Sequence, residues 1–272
     1  MKVKLALAQI IPTLGDKEKN LQKMERAISE AAHEQAQLVI FPELILTGYS
    51  CRDHYYSLAE SIPGPSVRKI ESIANKNGLY VIFGMVEEAE EGVLYNTSVM
   101  VGPKGYIGKY RKKYLPTHLV FEEKRYFRQG YETQVLETEI GKIGLMICYD
   151  IFFPEIARLL TLKGSQVIVC ISASPGTRTR YFETFVSSRA MENTVFLAYV
   201  NLVGVEDGLI FWGGSRIVGP DGTVIKKAKY DEEDLIIATI DYSELKASRI
   251  AAPVLRDLRP EIFDELSHLS RR

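Results

Sequence analysis

The chain has 272 residues, 34 basic side chains against 35 acidic ones, and a 46% hydrophobic composition. That is enough apolar material for one large domain or two small ones, and the even charge excludes the basic footprint of a nucleic-acid binder. Three cysteines, Cys51, Cys148 and Cys170, form no even-numbered disulfide framework and stand at no zinc-like spacing. They point to a reducing, cytoplasmic setting; no cleavable leader is expected, and no apolar run reaches the roughly 20 residues of a membrane span.

Short apolar runs alternate with helical patterns along the chain. Val3, Leu5 and Leu7 alternate with other side chains as a strand does, and Leu21, Met24, Ile28 and Ala31 then mark one face of a helix. Residues 38–41 form a buried-strand run that delivers Glu43 at its end. A second helix is predicted over 66–75, stopped by Asn77-Gly78, followed by a strand over 79–83. Further strands are expected over 143–147, 167–171 and 195–200, separated by helices over 154–163 and 181–193. Strands alternating with helices predict an α/β layered protein.

One pattern occurs twice. Val101-Gly102-Pro103-Lys104-Gly105 is echoed by Val218-Gly219-Pro220-Asp221-Gly222, each between strand-like runs and each preceded by a helix and a strand. Proline presets φ and glycine supplies a positive φ, so both read as hairpin turns. The echo predicts a duplicated half-sheet, with two similar sheets stacked face to face and helices outside. No Pro- or Ser-rich linker interrupts the chain, and residues 1–272 are expected to form a single domain.

Three separated segments carry chemistry. In Gly144-Leu145-Met146-Ile147-Cys148-Tyr149-Asp150 an apolar strand ends at a thiol, and a helix-like run follows from Pro154. A strand–turn–helix corner of this kind holds a nucleophile rigidly and brings backbone N–H donors near it. Glu43, in Phe41-Pro42-Glu43, is either at the surface of a strand end or buried and paired, because an unpaired buried carboxylate costs several kcal/mol. Lys112, within Tyr110-Arg111-Lys112, reads alone as part of a solvated basic loop, and Cys148 alone as a core cysteine. Together they could take a proton from a thiol and stabilise both the thiolate and a later oxyanion. Among His33, His54, His118 and His268 only His118 could serve a Cys–His pair. No Gly-x-Ser-x-Gly elbow, P-loop or His-x-x-His pair is present.

These segments resemble the Glu, Lys and Cys motifs of the nitrilase superfamily of carbon–nitrogen hydrolases, the third running from Ile147 through Cys148-Tyr149-Asp150 to Pro154-Glu155. The resemblance extends to Ser188-Arg189-Ala190-Met191-Glu192-Asn193, to Gly213-Gly214-Ser215 with the second Pro-x-Gly turn, and to Arg259-Pro260-Glu261-Ile262-Phe263. It implies a four-layer αββα sandwich that dimerises, with no cofactor or metal and a small-molecule amide as substrate. By the same resemblance Cys148 would attack an amide or nitrile carbon, with Glu43 as general base. Lys112 and the Tyr149 backbone N–H would hold the oxyanion, and a thioester would form and be hydrolysed. Glu123 matches the second glutamate of the family, positioning substrate or Lys112, and Tyr49, Tyr149, Ser172 and Ser174 are candidates for lining the pocket.

The branch is suggested by departures. Nitrilases proper usually carry Trp-Glu after the nucleophile, where this chain has Tyr149-Asp150, which favours an amidase. N-carbamoyl amino acid hydrolases look to arginines just after the cysteine, where this chain has Ile151-Phe152-Phe153. Leu46-Thr47-Gly48-Tyr49, residues 120–127 and Ser172-Ala173-Ser174-Pro175 resemble the glutaminase domain of glutamine-dependent NAD synthetases. No synthetase domain is expected in this chain, and Tyr149 stands where the glutaminase domain has glutamate. The reading is therefore a free-standing amidase. The alternatives are a nitrilase, a carbamoyl amide hydrolase, a glutaminase subunit feeding a separate synthetase, or a non-catalytic scaffold.

Overall fold

The computed structural model describes residues 1–271. Strand β1 (Lys2–Gln9) divides its side chains as its alternation predicts: Val3, Leu5 and Leu7 join one buried cluster, Ala6 and Ala8 another. Helix α1 (Lys17–His33) starts where the Asp16 carboxylate accepts a hydrogen bond from the Lys19 N–H at 3.0 Å, and it buries Leu21, Met24, Ile28 and Ala31. Then come β2 (Leu38–Ile40), the one-turn helix α2 (Tyr55–Leu58) and α3 (Pro65–Asn77), which ends at Gly78 with φ 67°. Strands β3 (Tyr80–Glu90), β4 (Val93–Gly102) and β5 (Gly105–Arg111) complete the first half.

The one-turn helix α4 (Glu123–Tyr126) and strand β6 (Val135–Thr138) lead into β7 (Gly141–Ile147), α5 (Pro154–Leu162), β8 (Val167–Ser172), α6 (Thr179–Asn193) and β9 (Phe196–Asn201). A two-stranded arm, β10 (Val203–Glu206) and β11 (Leu209–Trp212), precedes β12 (Arg216–Val218) and β13 (Val224–Lys227). Strand β14 (Asp234–Asp241) and helices α7 (Ser243–Ala251) and α8 (Pro260–Leu269) end the described chain.

Two six-stranded sheets result, ordered β14-β1-β2-β3-β4-β5 and β13-β12-β9-β8-β7-β6. In each, three parallel strands joined through helices are followed by an antiparallel hairpin: β1-β2-β3 with β4-β5, and β7-β8-β9 with β12-β13. The two Pro-x-Gly turns close those hairpins, with Gly105 at φ 112° and Gly222 at φ 85°, and both hairpins carry a register shift near the turn. The duplicated half-sheet read from the sequence is therefore present. Leu5, Leu7, Leu38 and Ile40 from the first sheet share one buried cluster with Ile143, Leu145 and Val169 from the second. Helices α1 and α3 cover the first sheet through Met24, Ile28, Ile70 and Ala74, and α5 and α6 cover the second through Ile156, Leu160, Val186 and Ala190. This is the αββα sandwich, held by apolar side chains each worth about 1.5–3 kcal/mol on burial. No described helix is long and apolar enough to cross a membrane.

Candidate active site

Four chain segments end beside one another. Glu43 lies just past β2, Lys112 directly after β5, Cys148 directly after β7, and Ser172 closes β8. Strand β3 runs against the Glu43 segment so closely that a Cβ at Gly84 would stand 2.3 Å from the Leu44 backbone nitrogen and 2.8 Å from Glu43 Cα. Only glycine fits there.

Glu43 is fully buried and fully engaged. Its Oε1 accepts from Lys112 Nζ at 2.7 Å and from Asn96 Nδ2 at 2.7 Å, and its Oε2 accepts from the Ala173 backbone N–H at 2.7 Å. Of the two readings open in the sequence, buried and paired is the one found. Lys112 Nζ also donates to Glu123 Oε1 at 2.6 Å, and the Tyr49 hydroxyl donates to the same oxygen at 2.8 Å. One buried cation therefore joins two buried carboxylates. Burial alone would lower the Lys112 pKa, but Glu123 and Glu43 outweigh it and hold the ammonium well above its usual value. Burial pushes the Glu123 carboxyl up to about 7; Lys112 pulls against this and the neighbouring Glu43 adds to it.

Cys148 turns the chain out of β7 with φ 45°, a left-handed conformation that costs a non-glycine residue about 1–2 kcal/mol. A tight helical turn over Cys148–Phe152 follows before α5 begins. Asp150 fixes that turn: its Oδ2 accepts from the Ile147 N–H at 3.0 Å and the Tyr110 hydroxyl at 2.8 Å, and its Oδ1 from the Tyr114 N–H at 3.0 Å. Burial lifts the Asp150 carboxyl to about 6. The buried Cys148 thiol is pushed far up, first by burial and then by the Glu43 charge; Lys112 and the Ser172 hydroxyl pull the other way. The Ser172 hydroxyl is itself buried and has no hydrogen-bond partner among the described residues. At neutral pH the resting sulfur therefore keeps its proton.

A narrow cavity opens over the thiol. Tyr149 and Ser174 line it together with Phe121, Phe152 and Phe182. His118 also lines it, but its ring packs on Phe121 and Tyr149 at centroid distances of 5.5 and 5.3 Å. Tyr49 meets Glu123 instead and is placed by Glu206 on β10, whose Oε2 accepts from the Tyr49 and Ser50 backbone N–H groups at 2.8 and 2.9 Å. Asn96, Gly84, Asp150 and Glu206 were not singled out from the sequence. Asp150 lay inside a motif already quoted; the others carried no signal in one dimension.

The fold and this site define a hydrolase scaffold, and comparison with known proteins agrees. The sequence profile of the carbon–nitrogen hydrolase family matches residues 4–250, and the chain belongs to that family, within the nitrilase superfamily. It is 38% identical over 268 residues to a nitrilase of Pyrococcus abyssi, covering 96% of this chain and 99% of that one. It is 35% identical over 270 residues to an omega-amidase of Xenopus tropicalis, covering 96% and 97%. The crystal structure of a carbon–nitrogen hydrolase from Helicobacter pylori G27 superposes with a TM-score of 0.92 at 27% identity, covering 98% of each chain.

Proposed function

We propose that the chain hydrolyses small carboxamides to carboxylates and ammonia through a thioester on Cys148. The observation that carries this is the Lys112 ammonium shared between Glu43 and Glu123, fully buried beside a thiol held on a strained corner. Glu43 takes the Sγ proton as sulfur bonds to the amide carbon. The carbonyl oxygen gains the electron pair, and Lys112 with the Tyr149 backbone N–H holds it. Collapse breaks the C–N bond, Glu43 passes its proton to the leaving nitrogen, and ammonia departs. Glu43 then deprotonates a water that attacks the thioester; the carboxylate leaves and the sulfur recovers a proton. Glu123 positions Lys112, and Ser174 and Tyr149 line the path to the thiol, while Ser172, expected to line it, is buried beside the sulfur. The omega-amidase relative supports an amide substrate, and the nitrilase relative keeps a nitrile as the alternative that the assay below tests.

The three free cysteines suit a reducing cytoplasm. The apolar stripe Ile262, Leu266 and Leu269 with Phe263 on exposed α8 suits a homodimer. The test of the reaction is ammonia release from aliphatic amides, glutamine, N-carbamoyl amino acids and nitriles by the wild-type enzyme and Cys148→Ala. Release from amides that vanishes in a folded Cys148→Ala supports the reading. Equal release from both proteins overturns it.

A further inference from the structure

One buried carboxylate at the site pairs with no cation. Asp150 is fully buried, and among the described residues no lysine or arginine bonds to it. Its three donors are neutral, and they come from both halves of the molecule. The Ile147 N–H, at the end of β7, immediately precedes Cys148. The Tyr110 hydroxyl, on β5, and the Tyr114 N–H stand two residues before Lys112 and two after it. A carboxylate accepts from all three, whereas an asparagine in its place would turn an N–H donor towards one of them. Burying a charge among neutral partners is costly, and a neutral side chain could hold a single turn at less cost.

Asp150 clasps the chain around Cys148 to the chain around Lys112. Stacking adds a second tie between the same two segments: the Tyr114 and Phe153 rings lie 3.5 Å apart between centroids and 7° from parallel. Lys112 Nζ donates to Glu43 and Glu123, which leaves one of its three N–H groups for an oxygen developing near the sulfur. Resting on the amide hydrolysis proposed above, we infer that Asp150 is a positioning residue for the reaction: it sets the distance from the Cys148 sulfur to the Lys112 ammonium, and so the place where an oxyanion is held. An oxyanion donor contributes only when it stands where the charge develops. A backbone clasp shared by both residues fixes that spacing before substrate arrives.

Two measurements on wild type, Asp150→Asn and the milder Tyr110→Phe test this. The first is kcat and KM for whichever amide of the panel above turns over fastest. The second is the rate of Cys148 alkylation by iodoacetamide, in which sulfur displaces iodide, Glu43 takes the thiol proton and no oxyanion forms. Asp150→Asn is expected to lower kcat about 100-fold and Tyr110→Phe about tenfold, as a displaced oxyanion donor should. KM should stay within about threefold, because the interaction lost is made in the transition state. Alkylation should also stay within about threefold, since it needs the thiol and its base but no oxyanion donor. A merely structural Asp150 would lower both rates together. Turnover left at the wild-type level, or turnover and alkylation falling by the same factor, overturns the inference and leaves amide hydrolysis standing. Where Asp150→Asn does not fold, Tyr110→Phe decides by the same criteria. A wild type with no Cys148-dependent turnover removes the proposed reaction and this inference with it.

Discussion

Glu123 concentrates the electrostatics of the site in one side chain. The folded protein raises its carboxyl to about 7, above the ordinary 4.5, because burial and Glu43 oppose its charge more than Lys112 favours it. Between those two values the unfolded chain has released a proton that the folded chain still holds, so this group's contribution to stability falls as pH rises through that window and levels off above it. Glu123→Gln keeps an oxygen for Lys112 and Tyr49 and has no proton to lose. The melting temperature of Glu123→Gln relative to wild type is therefore expected to be higher at pH 8 than at pH 5 by a few degrees. Asp150, also raised, contributes equally to both proteins and cancels. A difference that stays flat across the window would contradict the assignment. At this scale the sequence named Glu43, Lys112, Glu123 and Cys148, and the first three are hydrogen-bonded together. It passed over Asn96, because the only sign of its place is cross-strand register: Asn96 pairs with Val86 of β3, and its amide reaches Glu43 beyond the end of β2.

Among the elements, β3 decides where Glu43 sits. The 2.3 Å contact that a Cβ at Gly84 would make is with backbone, which cannot rotate away. Gly84→Ala is expected to displace residues 43 and 44, costing about 1–3 kcal/mol of stability by overpacking. Amide turnover should fall about 100-fold, the cost of moving a catalytic group by roughly 1 Å. Denaturant midpoints and kcat/KM measured on the same preparation check both; a variant with wild-type rate would mean that Glu43 tolerates the shift or does not act as base. The strands of the core were legible because apolar runs and alternation are local. The β10–β11 arm was not, although its Glu206 holds the Tyr49 loop, because Val203–Trp212 has no distinctive periodicity and acts through a contact more than 150 residues back along the chain, from Glu206 to Tyr49.

On the scale of the whole molecule, α8 is the one described α-helix with no buried residue, and Ile262, Phe263, Leu266 and Leu269 are all exposed in the isolated chain. An amphipathic helix of this kind gains stability only against a partner surface. With a second copy as that partner, light scattering is expected to give twice the chain mass, and Phe263→Asp to shift it towards the monomer. A monomeric wild type would remove the proposed dimer without touching the site.

What the sequence determined by itself is what local periodicity and motif order encode: an α/β chain of two echoing halves, the family, and the candidates Glu43, Lys112, Glu123 and Cys148, all buried in the fold. Tertiary structure alone decided that β14 closes the first sheet by pairing Asp234–Asp241 with Gln9–Lys2, and that a glycine on β3 makes room for Glu43. It also decided that Asp150 joins the Cys148 turn to the Lys112 segment. Those are contacts between distant segments, set by register and by the path of loops, and a one-dimensional pattern holds no record of them until the sheets stack.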